Sequence, residues 1–333
     1  MIDNKHKLNE FRQDLASGEW VLFATGRTYS MRTFQDHYQS VADCPFEDLA
    51  VSGNELIWYY PDAESRQIAV IKNKFPAVQS GQCGPTYQIG PFDAHTGNGE
   101  HDIVLFKDHD LHFNDFTTEQ LTEATRVYKK RYLEMAQMSE CIAYVMIFHN
   151  FGYEAGASIY HPHTQMISMP ILPPHIFRSL AGAERFYKKN NKKVYDVMLD
   201  WEMEQKKRIV FENDHFVALC PFASHEPYEV RIFPKDSSAR FENMSVEQEI
   251  AFADALRQVL RKIKNGLNNP PFNFFIHTSP VATTLNVDDF YTWHLEITPK
   301  SKIVSGFELG TGIDINVVDP DDAAKLLRET NVK

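Results

Sequence analysis

Ile103-Val104-Leu105-Phe106-Lys107-Asp108 is echoed 128 residues later by Arg231-Ile232-Phe233-Pro234-Lys235-Asp236. The same offset lays Thr117-Thr118-Glu119-Gln120 on Ser245-Val246-Glu247-Gln248, and Phe148-His149-Asn150 on Ile276-His277-Thr278. Three matches at one offset mark a duplication. Thr117 with Gln120, and Ser245 with Gln248, are capping boxes, in which a hydroxyl and an amide satisfy free N–H groups at a helix start. Behind the first, Leu121, Ala124, Tyr128, Tyr132 and Met135 recur at three- and four-residue steps; behind the second, Phe252, Leu256, Val259, Leu260, Ile263 and Leu267 do the same. Each set predicts an amphipathic helix with one buried face.

A β-rich run follows each helix, Ile142 to Phe148 and Phe272 to Ile276, and then, after a loop, a histidine-bearing strand. Those strands are expected over 161–168 and 291–298. The unit reads strand, helix, strand, loop, strand, twice over. Short returns between neighbouring strands predict antiparallel pairing, so the class is α+β, with antiparallel sheets flanked by helices. A polar, partly helical region near 183–210 separates the copies, giving an amino-terminal unit of 1–182 and a carboxy-terminal unit of 183–333. Within that region Lys188-Lys189-Asn190-Asn191-Lys192-Lys193 reads as a solvated loop.

Composition narrows the function classes. The 333 residues are 43% hydrophobic and 13% aromatic, with 24 Phe and 14 Tyr, which favours sheet-containing cores. The net charge of −11, with no dense Lys/Arg stripe, argues against a nucleic-acid partner, so a phosphorylated ligand has to be held locally. The segment from Met1 to Asp14 is polar and unlike a secretory signal, and no apolar run is long enough to span a bilayer. Cys44, Cys83, Cys141 and Cys220 are scattered, which predicts reduced thiols in a cytoplasmic protein that is not membrane-bound. Neither a Walker-type phosphate loop nor a dinucleotide fingerprint is present.

Chemistry concentrates between Phe148 and Pro170. Residues two apart on a strand share a face, so His161, His163 and Gln165 form one polar row. Pro162 cannot donate to a ladder, which predicts a sheet edge or a strand start. Upstream, Gly152, Gly156, Ala157 and Ser158 make a small-residue loop able to turn backbone N–H groups onto phosphate oxygens, with Asn150 and Ser158 adding side-chain donors. Phosphate beside imidazole points to nucleophilic attack on phosphorus through a phosphoramidate. A His-x-His pair also occurs in metal sites.

The string Asn150-x-Gly152-x-x-x-Gly156-Ala157-Ser158-x-x-His161-Pro162-His163-x-Gln165 resembles the signature of the galactose-1-phosphate uridylyltransferase branch of the histidine-triad superfamily. The resemblance extends to Gly18-Glu19-Trp20, Cys44-Pro45-Phe46, Asn73-Lys74-Phe75-Pro76, Trp293-His294-Leu295-Glu296 and Gly306-Phe307-Glu308-Leu309-Gly310-Thr311-Gly312. The chain is also similar to the plant-type ADP-glucose phosphorylases of that branch. The resemblance implies two histidine-triad (HIT-like) domains, in agreement with the repeat. It implies that His163 forms a nucleotidyl intermediate and that Gln165 holds the transferred phosphate. Glutamine, unlike a third histidine, cannot protonate a leaving group, which preserves the intermediate for a second substrate and weighs against a histidine-triad nucleotide hydrolase. Asn150, Gly156, Ser158 and Arg27 would meet phosphates, and Asn73, Phe75 and Phe148 would line the nucleoside pocket.

By the same resemblance Cys44, His109 and His161 occupy three positions of a structural zinc site. The fourth is usually a cysteine and here is Glu47; carboxylate oxygen also binds zinc. His277, His294 and Glu296 repeat His149, His163 and Gln165 after a three-residue insertion, and read as a degenerate copy supporting the active strand. The glycine-rich segment around Phe307, Glu308 and Asn316 reaches the sugar phosphate in the partner subunit in this family, which implies a homodimer. The implied reaction is ping-pong exchange of UMP between UDP-glucose and galactose 1-phosphate. An ADP-sugar phosphorylase using the same histidine stays open, because Asn73-Lys74-Phe75 suits either base.

Overall fold

The computed structural model describes residues 9–27, 34, 37–81, 84–281, 283 and 285–332. The chain runs through β1 (Glu10–Gln13), β2 (Trp20–Phe23), α1 (Leu49–Ser52), β3 (Leu56–Tyr60), β4 (Ile68–Lys72), β5 (Tyr87–Ile89), β6 (Phe92–Ala94), β7 (His101–Phe106), α2 (Thr118–Gln137), β8 (Tyr144–Phe151) and β9 (His163–Met169). It continues with α3 (Pro174–Asn190), α4 (Val194–Gln205), β10 (Ile209–Glu212), β11 (Phe216–Leu219), β12 (Val230–Pro234), α5 (Val246–Gly266), β13 (Phe272–His277), β14 (His294–Pro299), α6 (Gly306–Thr311), β15 (Asp314–Asn316) and α7 (Pro320–Glu329).

Ten strands form one antiparallel sheet in the order β10-β11-β12-β14-β13-β8-β9-β7-β4-β3. The order exposes the duplication: β3-β4-β7-β9-β8 in one half matches β10-β11-β12-β14-β13 in the other. The copies meet at β8 and β13, with Phe275 opposite Phe148 and Phe274 opposite His149. Both expected helices form, and both capping boxes close. Every residue of the two apolar stripes is buried, and α2 and α5 pack on the same face of the sheet in one shared core. The opposite face carries the histidine row. β9 begins directly after Pro162 and lies inside the sheet, between β7 and β8, so proline marks a strand start there.

Two expectations need correction. The lysine cluster is not one loop. The buried stripe Ile176, Leu180 and Ala183 carries α3 through Lys188 and Lys189 in its last turn, where cations suit the helix dipole, and Lys193 Nζ donates to Ser237 O at 2.6 Å. Cys44 and Cys220 are free, but Cys141 is disulfide-bonded, so the four thiols are not all reduced; scattered spacing does not report which cysteines approach in space. No helix among the described residues is long and apolar enough to cross a membrane.

A small sheet, β1-β2-β15, is tied to the large one by buried charge. Arg231 on β12 bonds Asp14 at 3.1 Å, Glu229 at 2.9 Å and Glu296 at 3.0 Å. Beside it, His225 Nδ1 meets Asp314 of β15 at 2.8 Å. Burial opposes charge on His225, but the Asp314 hydrogen bond and the Glu229 carboxylate outweigh it and hold the imidazolium up to about 9. A raised folded pKa stabilises fully below the unfolded value and is lost as pH climbs through the folded one. At ~1.4 kcal/mol per unit, up to about 3 kcal/mol of stability disappears between about pH 6.5 and 9. Urea midpoints should fall across that window, and Asp314→Asn should flatten the slope; an equally steep fall in the variant would refute the assignment.

Candidate active site

The site is built on the sheet face away from α2 and α5. His163 opens β9, is 7% exposed, and lies beneath the ring of Phe46 with centroids 5.4 Å apart. Its Nδ1–H donates to the His161 carbonyl at 2.8 Å. The proton is therefore on Nδ1, and the Nε2 lone pair is left free, with no protein partner among the described residues. Burial holds the ring below its ordinary pKa, so it is neutral at pH 7, as a nucleophile must be. From the neighbouring strand, buried His149 donates Nδ1–H to the His163 carbonyl at 2.7 Å, and burial pushes its own pKa down to about 3. His163 is thus gripped through both its ring and its carbonyl.

Gln165 sits opposite Ile103 of β7 and Phe148 of β8. Its Oε1 lies 2.9 Å from Nε2 of His101, and its amide nitrogen has no protein acceptor among the described residues. Asn73 caps its own loop, with Oδ1 accepting from Phe75 N–H at 2.9 Å and its amide 3.0 Å from His101 Nε2. Phe148 is half-buried beside this group, whereas Phe75 is 84% exposed.

Gly152 and Gly156 shape the small-residue loop before β9 with φ of +82° and +90°. The Asn150 amide donates to Gly156 O at 3.5 Å, while Asn273 of β13 donates to Asn150 Oδ1 at 2.8 Å and Ala155 O at 2.7 Å. Ser158 is exposed, and a cavity of about 510 Å³ runs past Asn150, Gly152, Ala157, Ser158 and Tyr160. A larger cavity, about 700 Å³, lies against α4 near Trp201 and Phe222 and touches none of these groups. A Cβ on Gly152 would come within 2.8 Å of Pro271, at a φ that L-residues rarely adopt. Gly152→Ala should cost about 1–3 kcal/mol in urea unfolding and lower turnover by displacing the loop; unchanged stability and turnover would show the loop to be more forgiving than this.

Cys44, Glu47, His109 and His161 converge, with their donor atoms all within 4.8 Å. His109 Nδ1 is 2.8 Å and His161 Nδ1 3.0 Å from Glu47 Oε1, and Cys44 Sγ is 3.6 Å from His161 Nδ1. Each imidazole spends its Nε2–H on a backbone carbonyl, Gln39 O at 2.7 Å for His109 and Phe106 O at 2.5 Å for His161. Both Nδ1 lone pairs therefore face the Glu47 carboxylate, and that of His161 also faces the Cys44 thiol, whose pKa burial raises; a bound cation would displace the thiol proton and be met by acceptors alone. Bonds of ~2.0–2.3 Å to a tetrahedral centre place donors roughly 3.3–3.8 Å apart, so this shell fits a metal with little adjustment. Phe46 N–H also points at Cys44 Sγ, at 3.4 Å.

The second-half trio also assembles: His277 Nδ1 is 3.2 Å from His294 Nε2, and Glu296 is held by Arg231. The remaining expected residues lie apart from the histidine row. Arg27 is exposed, in the turn after β2. Phe307 and Glu308 are in α6, where the Glu308 carboxylate accepts from Ser305 Oγ at 2.8 Å as a helix cap. Asn316 is fully buried, donating to Ser224 O at 2.9 Å and accepting from Val318 N–H at 2.9 Å. Sequence reasoning missed His101, Asn273 and Phe46 as parts of the site. Phe46 could have been found from its place beside Cys44; the other two carry no local signal.

A neutral histidine held by its own strand, a donor amide beside it and a glycine loop are the parts a nucleotidyltransferase needs, and the comparisons with known proteins give that class. The profile described as "Galactose-1-phosphate uridyl transferase, N-terminal domain" matches residues 2–173, and one described as "Domain of unknown function (DUF4921)" matches 96–331. ADP-glucose phosphorylase of Arabidopsis thaliana is 32% identical over 97% of this chain and 93% of its own length. Galactose-1-phosphate uridylyltransferase of Thermotoga maritima is 28% identical over 97% of this chain and 99% of its own. The structure of the Arabidopsis ADP-glucose phosphorylase with bound ADP-glucose superposes with a TM-score of 0.84 at 29% identity, covering 98% of this chain and all of that one. The chain belongs to the galactose-1-phosphate uridyl transferase family.

Proposed function

We propose that this chain transfers a nucleoside monophosphate through His163, in the leading reading UMP between UDP-glucose and galactose 1-phosphate. The observation that carries it is the His163 ring, neutral, with Nδ1–H tied to the His161 carbonyl and Nε2 unpartnered. In the first half-reaction Nε2 attacks the α-phosphorus. The P–N bond forms, the bond to the bridging oxygen breaks, and the sugar 1-phosphate leaves with that electron pair. In the second, a phosphate oxygen of the acceptor attacks the same phosphorus and the P–N bond breaks, restoring the free ring. The His161 carbonyl stabilises the charge on the ring while the intermediate lasts.

Gln165 donates to the transferred phosphate, and Asn150, Gly156, Ser158 and Arg27 meet phosphate oxygens in this reading. Asn73, Phe75 and Phe148 line the nucleoside pocket. The 1–182 unit carries the chemistry and the 183–333 unit supports it. Phe307, Glu308 and Asn316 would serve the partner's site in a homodimer, with Glu308 and Asn316 holding the backbone there. Zinc is the expected occupant of the Cys44, Glu47, His109 and His161 shell, where a closed set of protein donors supplies a cross-link. A cytoplasmic setting suits the reading, since the charge on phosphorylated sugars retains them there.

A second reading is adenylyl transfer from an ADP-sugar to inorganic phosphate, favoured by the 32% identity to the Arabidopsis phosphorylase. Intact-protein mass spectrometry after brief exposure to UDP-glucose or to ADP-glucose separates the two. A UMP adduct supports the uridylyltransferase and an AMP adduct alone the phosphorylase. No adduct from either, with the sugar nucleotides unconsumed, would remove the support for both.

A further inference from the structure

We infer that His101 is a positioning residue that locks the Gln165 amide into one orientation, so that only its NH₂ group can face the transferred phosphate; this rests on the reading of His163 as nucleophile. A glutamine amide has a donor end and an acceptor end of nearly equal shape. Presented oxygen-first, it would repel a phosphate; presented nitrogen-first, it stabilises the charge that develops there. Something has to choose, and the strand that carries Gln165 does not.

The choice is made from β7. His101 stands opposite Ile167 in the β7–β9 ladder, one diagonal step from Gln165 on the same face. It is 8% exposed, so its ring cannot borrow partners from bulk water. The backbone N–H of Ala77 donates to its Nδ1 at 3.1 Å. That bond makes Nδ1 the acceptor and leaves the ring proton on Nε2. Nε2–H then donates to Gln165 Oε1 at 2.9 Å. With its oxygen spent, the glutamine has only N–H groups to offer, and these have no protein acceptor among the described residues. Burial lowers the His101 pKa, which agrees with a neutral ring.

The lock is itself anchored. Asn73 N–H donates to the His101 carbonyl at 2.8 Å; the Asn73 amide nitrogen, 3.0 Å from Nε2, is itself a donor and makes no bond to the protonated Nε2. The 73–77 segment, which the proposed function places at the nucleoside, thus grips the residue that aims the phosphate donor. A third side chain connects base recognition to catalysis.

The test uses His101→Phe, which keeps the ring and loses both nitrogens. Quenched-flow mass spectrometry of the nucleotidyl adduct, with UDP-glucose and with ADP-glucose, should show formation slowed about 10- to 100-fold, with KM within about threefold of wild type. Placed on Gln165→Ala, His101→Phe should add less than about twofold, because the two act as one unit. Full multiplication of the two effects, or a wild-type rate in His101→Phe, overturns the inference. The ¹⁵N chemical shifts of histidine-labelled wild-type protein provide a check that needs no variant to fold: His101 should show the Nε2–H tautomer, and an Nδ1–H tautomer overturns the lock. His163→Gly separates this from the parent reading. If that variant still forms the adduct, the nucleophile assignment fails and the inference with it; if it forms none while His101→Phe reacts normally, only the inference falls.

Discussion

His163→Gly eliminates the covalent nucleotidyl adduct and lowers turnover by at least about 10³-fold. The size follows from what the ring supplies. In the proposed mechanism two displacements at phosphorus replace one, and each would use the same nitrogen, already desolvated and aimed by its own strand. Removing it leaves the phosphate loop and Gln165 intact, so binding of the sugar nucleotide should change far less than kcat. Calorimetry on the variant should therefore give a Kd within about threefold of wild type. A conservative His163→Asn makes the same point with less cavity. If either variant retained the adduct, the nucleophile would have to be sought elsewhere on this face. Stability supplies the control, since His163 donates one hydrogen bond to the His161 carbonyl and packs under Phe46, and losing both costs about 1–3 kcal/mol. A variant that unfolds outright would show that the ring also carries the strand start, and its thermal midpoint separates that case from lost chemistry.

How much of this was legible depends on distance along the chain. Capping boxes and apolar stripes are local patterns and appear where the sequence places them, and the histidine strand appears two residues late, starting at His163 with His161 just before it. The duplication was legible because a repeat needs only an offset. The continuous sheet was not, since the β8–β13 seam is a pairing between copies that no local pattern reports. His101 acts on a residue 64 positions away and Asn273 on one 123 positions away, and neither has a motif of its own. The Cys141 disulfide was missed for the same reason. Even Pro162, which signals a break in a ladder, could not say whether the break was an edge or the residue just before a central strand.

The Cys44, Glu47, His109 and His161 cluster gives the second large effect, because it lies one residue's backbone away from His163. The His161 imidazole belongs to the cluster with Cys44, Glu47 and His109, while the His161 carbonyl holds the proton of His163. A cation that fixes the ring therefore also fixes the carbonyl, and with it the tautomer that leaves Nε2 free. Without the cation, two imidazole lone pairs and a carboxylate face one another at 2.8 and 3.0 Å, and the cluster has to open or take up protons. Stripping the protein with a chelator, or replacing Cys44 by Ser, should lower Tm by on the order of 5–10 °C and reduce kcat more than it raises KM. Elemental analysis should find about one zinc per chain in the untreated protein. Less than about a tenth of an equivalent, together with a Tm unmoved by chelator, would leave a histidine–carboxylate cluster with no metal role. Glu47→Cys is the informative gain-of-function change. The Glu47 side chain is 31% exposed, so a shorter thiol fits without strain, and a second thiolate should tighten zinc about tenfold or more. If affinity rises while turnover stays fixed, the cation acts through the His161 backbone alone, which is what a closed shell on this side of the sheet requires.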